Sequence, residues 1–240
     1  LPGAVGGGIL NDRSKADLLR TEISWNRAGP VGVGGGIFNG SANANYLDTE
    51  SRMTSTNTTI SNNVAEGDGT VYEGIPSGTG GGLFNYGQGA TVVATHVTTA
   101  HNSASHGGGA GYGAMHSSVA IGNSLIQGDC FGDGTAPNIS LGNNIESSGD
   151  ACGFDQPSDR TSVPAELLRL GPLQNNGGAT QTHALLTEPT ISVAIDRIPE
   201  AVCLDADGAA LTTDQRGLAR PVPIPGPEAK CDVGAFEEQG

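Results

Sequence analysis

Of the five histidines in this 240-residue chain, His96, His101, His106 and His116 fall within one short stretch. Imidazole can ligate a metal or act as a general acid and base near neutral pH. Brought together from adjoining structural repeats, His96, His101 and His116 would form a metal site. Their spacing matches no compact ligand motif, so the plainer expectation is that they serve as turn polars. Asp205-Ala-Asp-Gly208 opens like a calcium loop through Asp205 and Asp207, but lacks a third acidic position and a closing Glu. No motif demands a cofactor, and calcium is the ion such a loop would take. Asp214, Arg216 and Arg220 read as an ion-pair network of structural type, because arginine makes the bidentate pairs that fix geometry. His183 is expected to orient its surroundings through hydrogen bonds.

The elements that must position these residues are repeats. Gly6-Gly-Gly-Ile-Leu-Asn11 returns as Gly34-Gly-Gly-Ile-Phe-Asn39 and Gly80-Gly-Gly-Leu-Phe-Asn85, with a degenerate copy at Gly113-Ala-Met-His116. A second phrase follows each: Ile23-Ser-Trp-Asn26, Ile60-Ser-Asn-Asn63, Thr99-Ala-His-Asn102 and Ile126-Gln-Gly-Asp129. The unit is about 28 residues, a length typical of stacked repeat folds. Two polar inserts, at 41–50 and 66–78, lengthen one unit and are the first places to look for a partner. The intervening runs, such as Thr91-Val-Val-Ala-Thr-His-Val-Thr, carry β-branched residues in strand-like alternation.

These features predict an all-β, right-handed parallel β-helix over residues 1–152, in which equivalent positions stack. Ile9, Ile37, Leu83 and Ala114 would form one inner column; Ile23, Ile60, Thr99 and Ile126 a second. Asn11, Asn39, Asn85 and His116 would line one corner, and Asn26, Asn63, Asn102 and Asp129 another. Asparagine suits a left-handed corner, and its amide can pair with the next repeat. Residues 153–240 lose the repeat and are expected to form a loop-rich, disulfide-stapled cap on the same domain, since an open stack end needs cover. The four cysteines, Cys130, Cys152, Cys203 and Cys231, form no CxxC. One available pairing joins sequence neighbours, Cys130–Cys152 and Cys203–Cys231; free buried thiols are the alternative.

Composition bounds the function. The chain holds 39 Gly and carries a formal net charge of −14, which argues against nucleic acid or an anionic membrane surface as partner. No apolar run reaches the ~20 residues that a membrane-spanning helix needs. The cysteine count and scarce lysine suggest an extracellular or cell-surface setting. No basic residue occurs between 53 and 159, which weakens an arginine-based lyase on the central repeats.

Three C-terminal phrases occur in order: Asn175-Asn-Gly-Gly-Ala-Thr-Gln-Thr-His-Ala-Leu185, Thr213-Asp-Gln-Arg-Gly-Leu-Ala-Arg-Pro221 and Cys231-Asp-Val-Gly-Ala-Phe-Glu237. Together they resemble the choice-of-anchor Q domain of bacterial surface proteins. The Gly-Gly-Gly-Ile-Phe-Asn repeats resemble the parallel β-helix stretches found with it and those of polymorphic outer-membrane proteins. One departure is Pro189-Thr-Ile-Ser-Val-Ala-Ile-Asp196, where the family has a serine-proline-alanine-isoleucine-aspartate phrase. The resemblance implies a secreted or surface-displayed protein and no settled activity. The expected function is adhesion, glycan contact or surface assembly, with an extracellular glycan or surface protein as partner. The alternatives are a polysaccharide lyase or glycoside hydrolase, and a self-assembling subunit that forms a homo-oligomer through its N-terminal end.

Overall fold

The computed structural model describes residues 5–41, 50–72, 75–106, 108–135, 138–222 and 229–240. The Leu1 end and nearly all of the 41–50 insert lie outside the described residues. The fold is all-β and dominated by parallel pairing. One sheet orders Ile9–Asn11, Ile37–Gly40, Leu83–Tyr86, Tyr112–Met115 and Cys130–Gly132 side by side, all parallel. A larger sheet contains the long strands Arg52–Ser61 and Thr91–Ala100, flanked by Lys15–Leu19, Glu22–Ser24, Ser118–Gly122 and Leu125–Gln127. A short third sheet joins Arg27–Ala28, Val64–Ala65 and Ser103–Ala104.

Each unit crosses these sheets in turn, so like positions sit in register. Ile9, Ile37 and Leu83 stack as expected. The column then continues through Tyr112 and Cys130 rather than through Ala114. Ala114 instead pairs with Asn85, so His116 falls outside the asparagine column. The repeated phrase is therefore Gly109-Ala-Gly-Tyr-Gly-Ala114, two residues earlier than the expected copy ending at His116. The second column, Ile23, Ile60, Thr99 and Ile126, stands as expected and ends on Glu146. Both columns meet Met53, Val92, Val119 and Ile121 in one continuous apolar core.

The repeated asparagines Asn26, Asn63 and Asn102 do not make the left-handed bends. Those fall at Trp25, Asn62 and His101, each one residue before the repeated Asn26, Asn63 and Asn102, with φ between 57° and 59°. A second bend runs through Arg20, Asn57, His96, Asn123 and Asn143, with φ between 51° and 57°. The repeated asparagines instead point inward and pair. Asn11 Nδ2 donates to Asn39 Oδ1 at 2.6 Å, and Asn39 Nδ2 to Asn85 Oδ1 at 2.7 Å. Asn26 Nδ2 donates to Asn63 Oδ1 and Asn63 Nδ2 to Asn102 Oδ1, each at 3.0 Å. A buried amide with both ends engaged avoids the penalty of an unsatisfied polar group. Glycine is required beside them: Gly34 has φ +66°, and a Cβ on Gly35 would stand 2.3 Å from the Gly81 carbonyl oxygen.

The C-terminal residues run along a wall rather than over an end. Their contacts reach from the first unit to the last. Gln181 N–H donates to Glu22, Thr59 Oγ1 to Gln215, Ala235 N–H to Thr98, and Asn123 Nδ2 to the Val202 carbonyl. The outward faces of Leu125 and Ile145 join Leu168, Leu185, Ile195, Ile198, Val233 and Phe236 in a second apolar cluster. The stack end receives Cys152 and Phe154, which extend the inner core beneath Cys130. There Glu146 accepts hydrogen bonds from the Ala151 and Cys152 N–H groups. The neighbour pairing of cysteines holds: Cys130–Cys152 and Cys203–Cys231 are disulfides with separations of 22 and 28 residues. Within the 66–78 insert, Val71–Tyr72 pairs antiparallel with Ile75–Pro76. Ile75 thereby covers a stacked aromatic cluster of Phe38, Phe84 and Tyr86.

Candidate functional site

The three candidate metal histidines are separated by the bends they occupy. His96 is wholly buried, with Nε2 3.6 Å from the Cys203 sulfur. Burial, and then the Arg220 charge, hold its pKa well below the ordinary value, so the ring is neutral. His101 lies on the surface, edge-on to His183. His116 places Nδ1 3.2 Å from Asp133 and its ring edge-on to Tyr86. His106 caps the Gly67 carbonyl. Among the described residues no three His, Cys, Asp or Glu side chains converge into a metal-binding group. Asp205 spends Oδ1 on the N–H groups of Asp207 and Ala209, while Asp207 is exposed. That loop is thus an aspartate-capped turn, a common role for this side chain.

His183 is a clamp. Its Nδ1–H donates to the Gly171 carbonyl at 2.7 Å, which leaves Nε2 to accept from Ser61 Oγ at 2.8 Å. A serine–imidazole pair of this kind resembles an activated nucleophile. Here Ser61 and His183 are 0% and 2% exposed, so the pair fastens the C-terminal segment to the wall. Burial is the main cause lowering the His183 pKa, which agrees with a neutral ring.

The Asp214–Arg216–Arg220 network is structural too, and larger than its motif. Arg220 donates from Nε to Glu237 Oε2 at 2.8 Å, from Nη1 to Asn57 Oδ1 at 3.1 Å and from Nη2 to the Phe236 carbonyl at 2.6 Å. Arg216 pairs with Asp214 and lies 3.7 Å over the Phe236 ring. Asp232, beside Glu237, receives the Asp196 and Glu238 N–H groups, and burial pushes its pKa up to about 8.

His116 edges a concavity of about 340 Å³ with Thr91, Ser118 and Thr135, and a larger concave surface lies where the C-terminal segment leaves the wall. A groove of about 580 Å³ is lined by Asn123, Leu141, Asn143, Val202, Leu204 and Asp205. A cleft of about 320 Å³ adjoins it, lined by Asn144, Asp159, Arg160 and Arg197 among others. The two share Asn143, Ser158 and Pro199 and so form one trough. Leu141 and Val202 are exposed, which gives an apolar patch between amides. Asn143 Nδ2 donates to Asn123 Oδ1 at 3.1 Å.

None of these lining residues except Asp205 was marked by a motif. Two signals bear on them. Ile121-Gly-Asn123 and Leu141-Gly-Asn143 are parallel phrases, and Arg160 is the first basic residue after the long stretch without any. Neither locates the trough, because its other side comes from Pro199–Gly208, remote in sequence. No helix is long and apolar enough to cross a membrane among the described residues. Comparison with protein-family models, with curated proteins and with solved structures finds no match.

Proposed function

We propose that the chain is a secreted or surface-displayed protein of the choice-of-anchor Q type, built as a right-handed parallel β-helix. It binds extracellular glycan through the trough beside its C-terminal segment, without catalysis. The observation that carries this reading is the trough itself. It combines paired amides at Asn123 and Asn143 with an apolar patch at Leu141 and Val202. Amides hydrogen-bond sugar hydroxyls, and apolar side chains cover the C–H faces of the rings; binding sites for small polar ligands combine these features. The carboxylates nearby are held by their own surroundings. Asp159 accepts from Ser140 Oγ, Asn144 N–H and Gln156 N–H, and Asp205 from its own turn. The two disulfides and the repeated registers favour an extracellular setting and a rigid display surface.

The test is an oligosaccharide panel assayed for both binding and turnover. The expected result is saturable binding, weakened by Asn143→Ala, with no new reducing ends and no rise in unsaturated-uronate absorbance. Turnover of a panel member would replace this reading with the lyase or hydrolase alternative.

A further inference from the structure

The Arg160 end of the trough brings two arginines into one cleft. Four other arginines are occupied: Arg27 by Glu66, Arg216 by Asp214, Arg220 by Glu237, and Arg169 by the Glu188 carbonyl; exposed Arg52, like the trough pair, has no acidic partner among the described residues. Arg160 and Arg197 line one cleft and have no acidic side chain within ion-pair distance among the described residues. Asp159 lines the same cleft, but its oxygens face Ser140 and the backbone of Asn144 and Gln156. Two like charges thus share a concavity in a protein whose net charge is −14. The Arg197 guanidinium loses part of its proton affinity, first to burial and then to repulsion by Arg160.

Both arginines are also held from beneath. Arg160 begins a strand paired to Ile145–Ser147, and its N–H donates to the Asn144 carbonyl at 2.8 Å. Arg197 donates its N–H to the carbonyl of Cys231, a disulfide-bonded residue, and follows Asp196, whose N–H is fixed by Asp232. Anchored backbones fix where the two side chains start, while the exposed guanidiniums are ordered only on binding.

We propose that Arg160 and Arg197 form a subsite for the negatively charged group of an acidic saccharide, whose neutral rings lie along Asn143, Leu141 and Val202. This deepens the glycan-binding reading and rests on it. Guanidinium forks match two-oxygen anions, and an anion placed between two cations relieves their repulsion. Carboxylate and sulfate ester share the chemistry required.

The experiment measures calorimetric binding of three linear hexasaccharides: a polyuronate, a sulfated glycan and a neutral glycan. The proteins are the intact parent chain and its Arg160→Ala/Arg197→Ala variant, with thermal unfolding as the check on folding. The parent is expected to prefer one or both anionic probes by about tenfold, the worth of one charge-assisted hydrogen bond. The variant is expected to lose that preference, its affinity falling more for the anionic probes than for the neutral glycan. Preference for only the polyuronate or only the sulfated probe supports the subsite and identifies the group. An intact preference in the variant overturns the inference. Equal binding of all three probes by the parent overturns it and leaves the glycan-binding reading standing. Binding of none overturns both.

Discussion

The repeats and the C-terminal segment solve the same problem in opposite ways. Both bury many polar groups. The repeats bury mostly neutral ones, and their recurring asparagines pair with their counterparts in the next unit, as in the Asn11–Asn39–Asn85 ladder. The C-terminal segment buries charge, and each group has several unlike partners: Arg220 reaches Glu237, Asn57 and Phe236 at once. A ladder shares its load over many similar contacts, as expected of repeat architectures. A network concentrates it on a few. Single substitutions should therefore cost more in the segment than in the repeats.

The sharpest way to break that contrast is Arg220→Ala. Arg220 and Glu237 are both 0% exposed at their side chains. Removing one partner strands a buried carboxylate, which typically costs about 3–5 kcal/mol. Chemical unfolding should show the loss, and proteolysis should release the C-terminal segment first. A cost below that of a ladder asparagine would end the distinction between the two regions. Removing the Cys203–Cys231 disulfide as a double alanine variant comes next. Its span of 28 residues predicts a loss of about 3.5 kcal/mol by the loop-entropy account. The loss on reduction of the parent should exceed it, because the Cys130–Cys152 bridge is lost as well.

Asn39→Ala probes the other side. It leaves Asn11 without its amide acceptor and Asn85 without its donor, both buried. An unsatisfied buried group costs about 1–3 kcal/mol; Asn11 Nδ2 keeps backbone acceptors but Asn85 Oδ1 loses its donor, so the middle of that range is expected. The unfolding midpoint measures it. A cost equal to that of Arg220→Ala would show that ladders are as concentrated as networks.

The same contrast explains what could be read from the sequence. The repeats were legible because a stacked unit writes its geometry many times. Ile9, Ile37 and Leu83 announce a column without any knowledge of the rest. The reading failed where the repeat degenerates. Tyr112, a larger residue, takes the inner position that Ala114 was expected to fill, and His116 was misplaced with it. The bends were assigned one residue late, because asparagine marks both a left-handed turn and an inward amide. Asn62 makes the turn, while Asn63 makes the ladder. The C-terminal motifs correctly marked a structural network. Their contact with the wall was hidden, because Asn57–Arg220 and Ser61–His183 join residues far apart in sequence. The trough was invisible for the same reason.

The smallest effect sharpens the comparison through pH. His183 joins the two regions, and burial holds its pKa below the ordinary 6.5. The folded state therefore resists a proton that the unfolded chain accepts. Stability from this site is complete above pH ~6.5 and declines as pH falls below it, by at most about 1.4 kcal/mol per pH unit for one proton. Buried His96 acts in the same direction, and Asp232, with its pKa raised to about 8, in the opposite one. Comparing the parent with His183→Gln cancels both. Thermal midpoints measured from pH 7.5 to 5 should fall less steeply in the variant, and the difference should open only below pH ~6.5. Parallel curves would mean that the ring is not held neutral between Ser61 and Gly171. The joint between ladder and network would then rest on apolar contact at Leu125 and Ile145 instead.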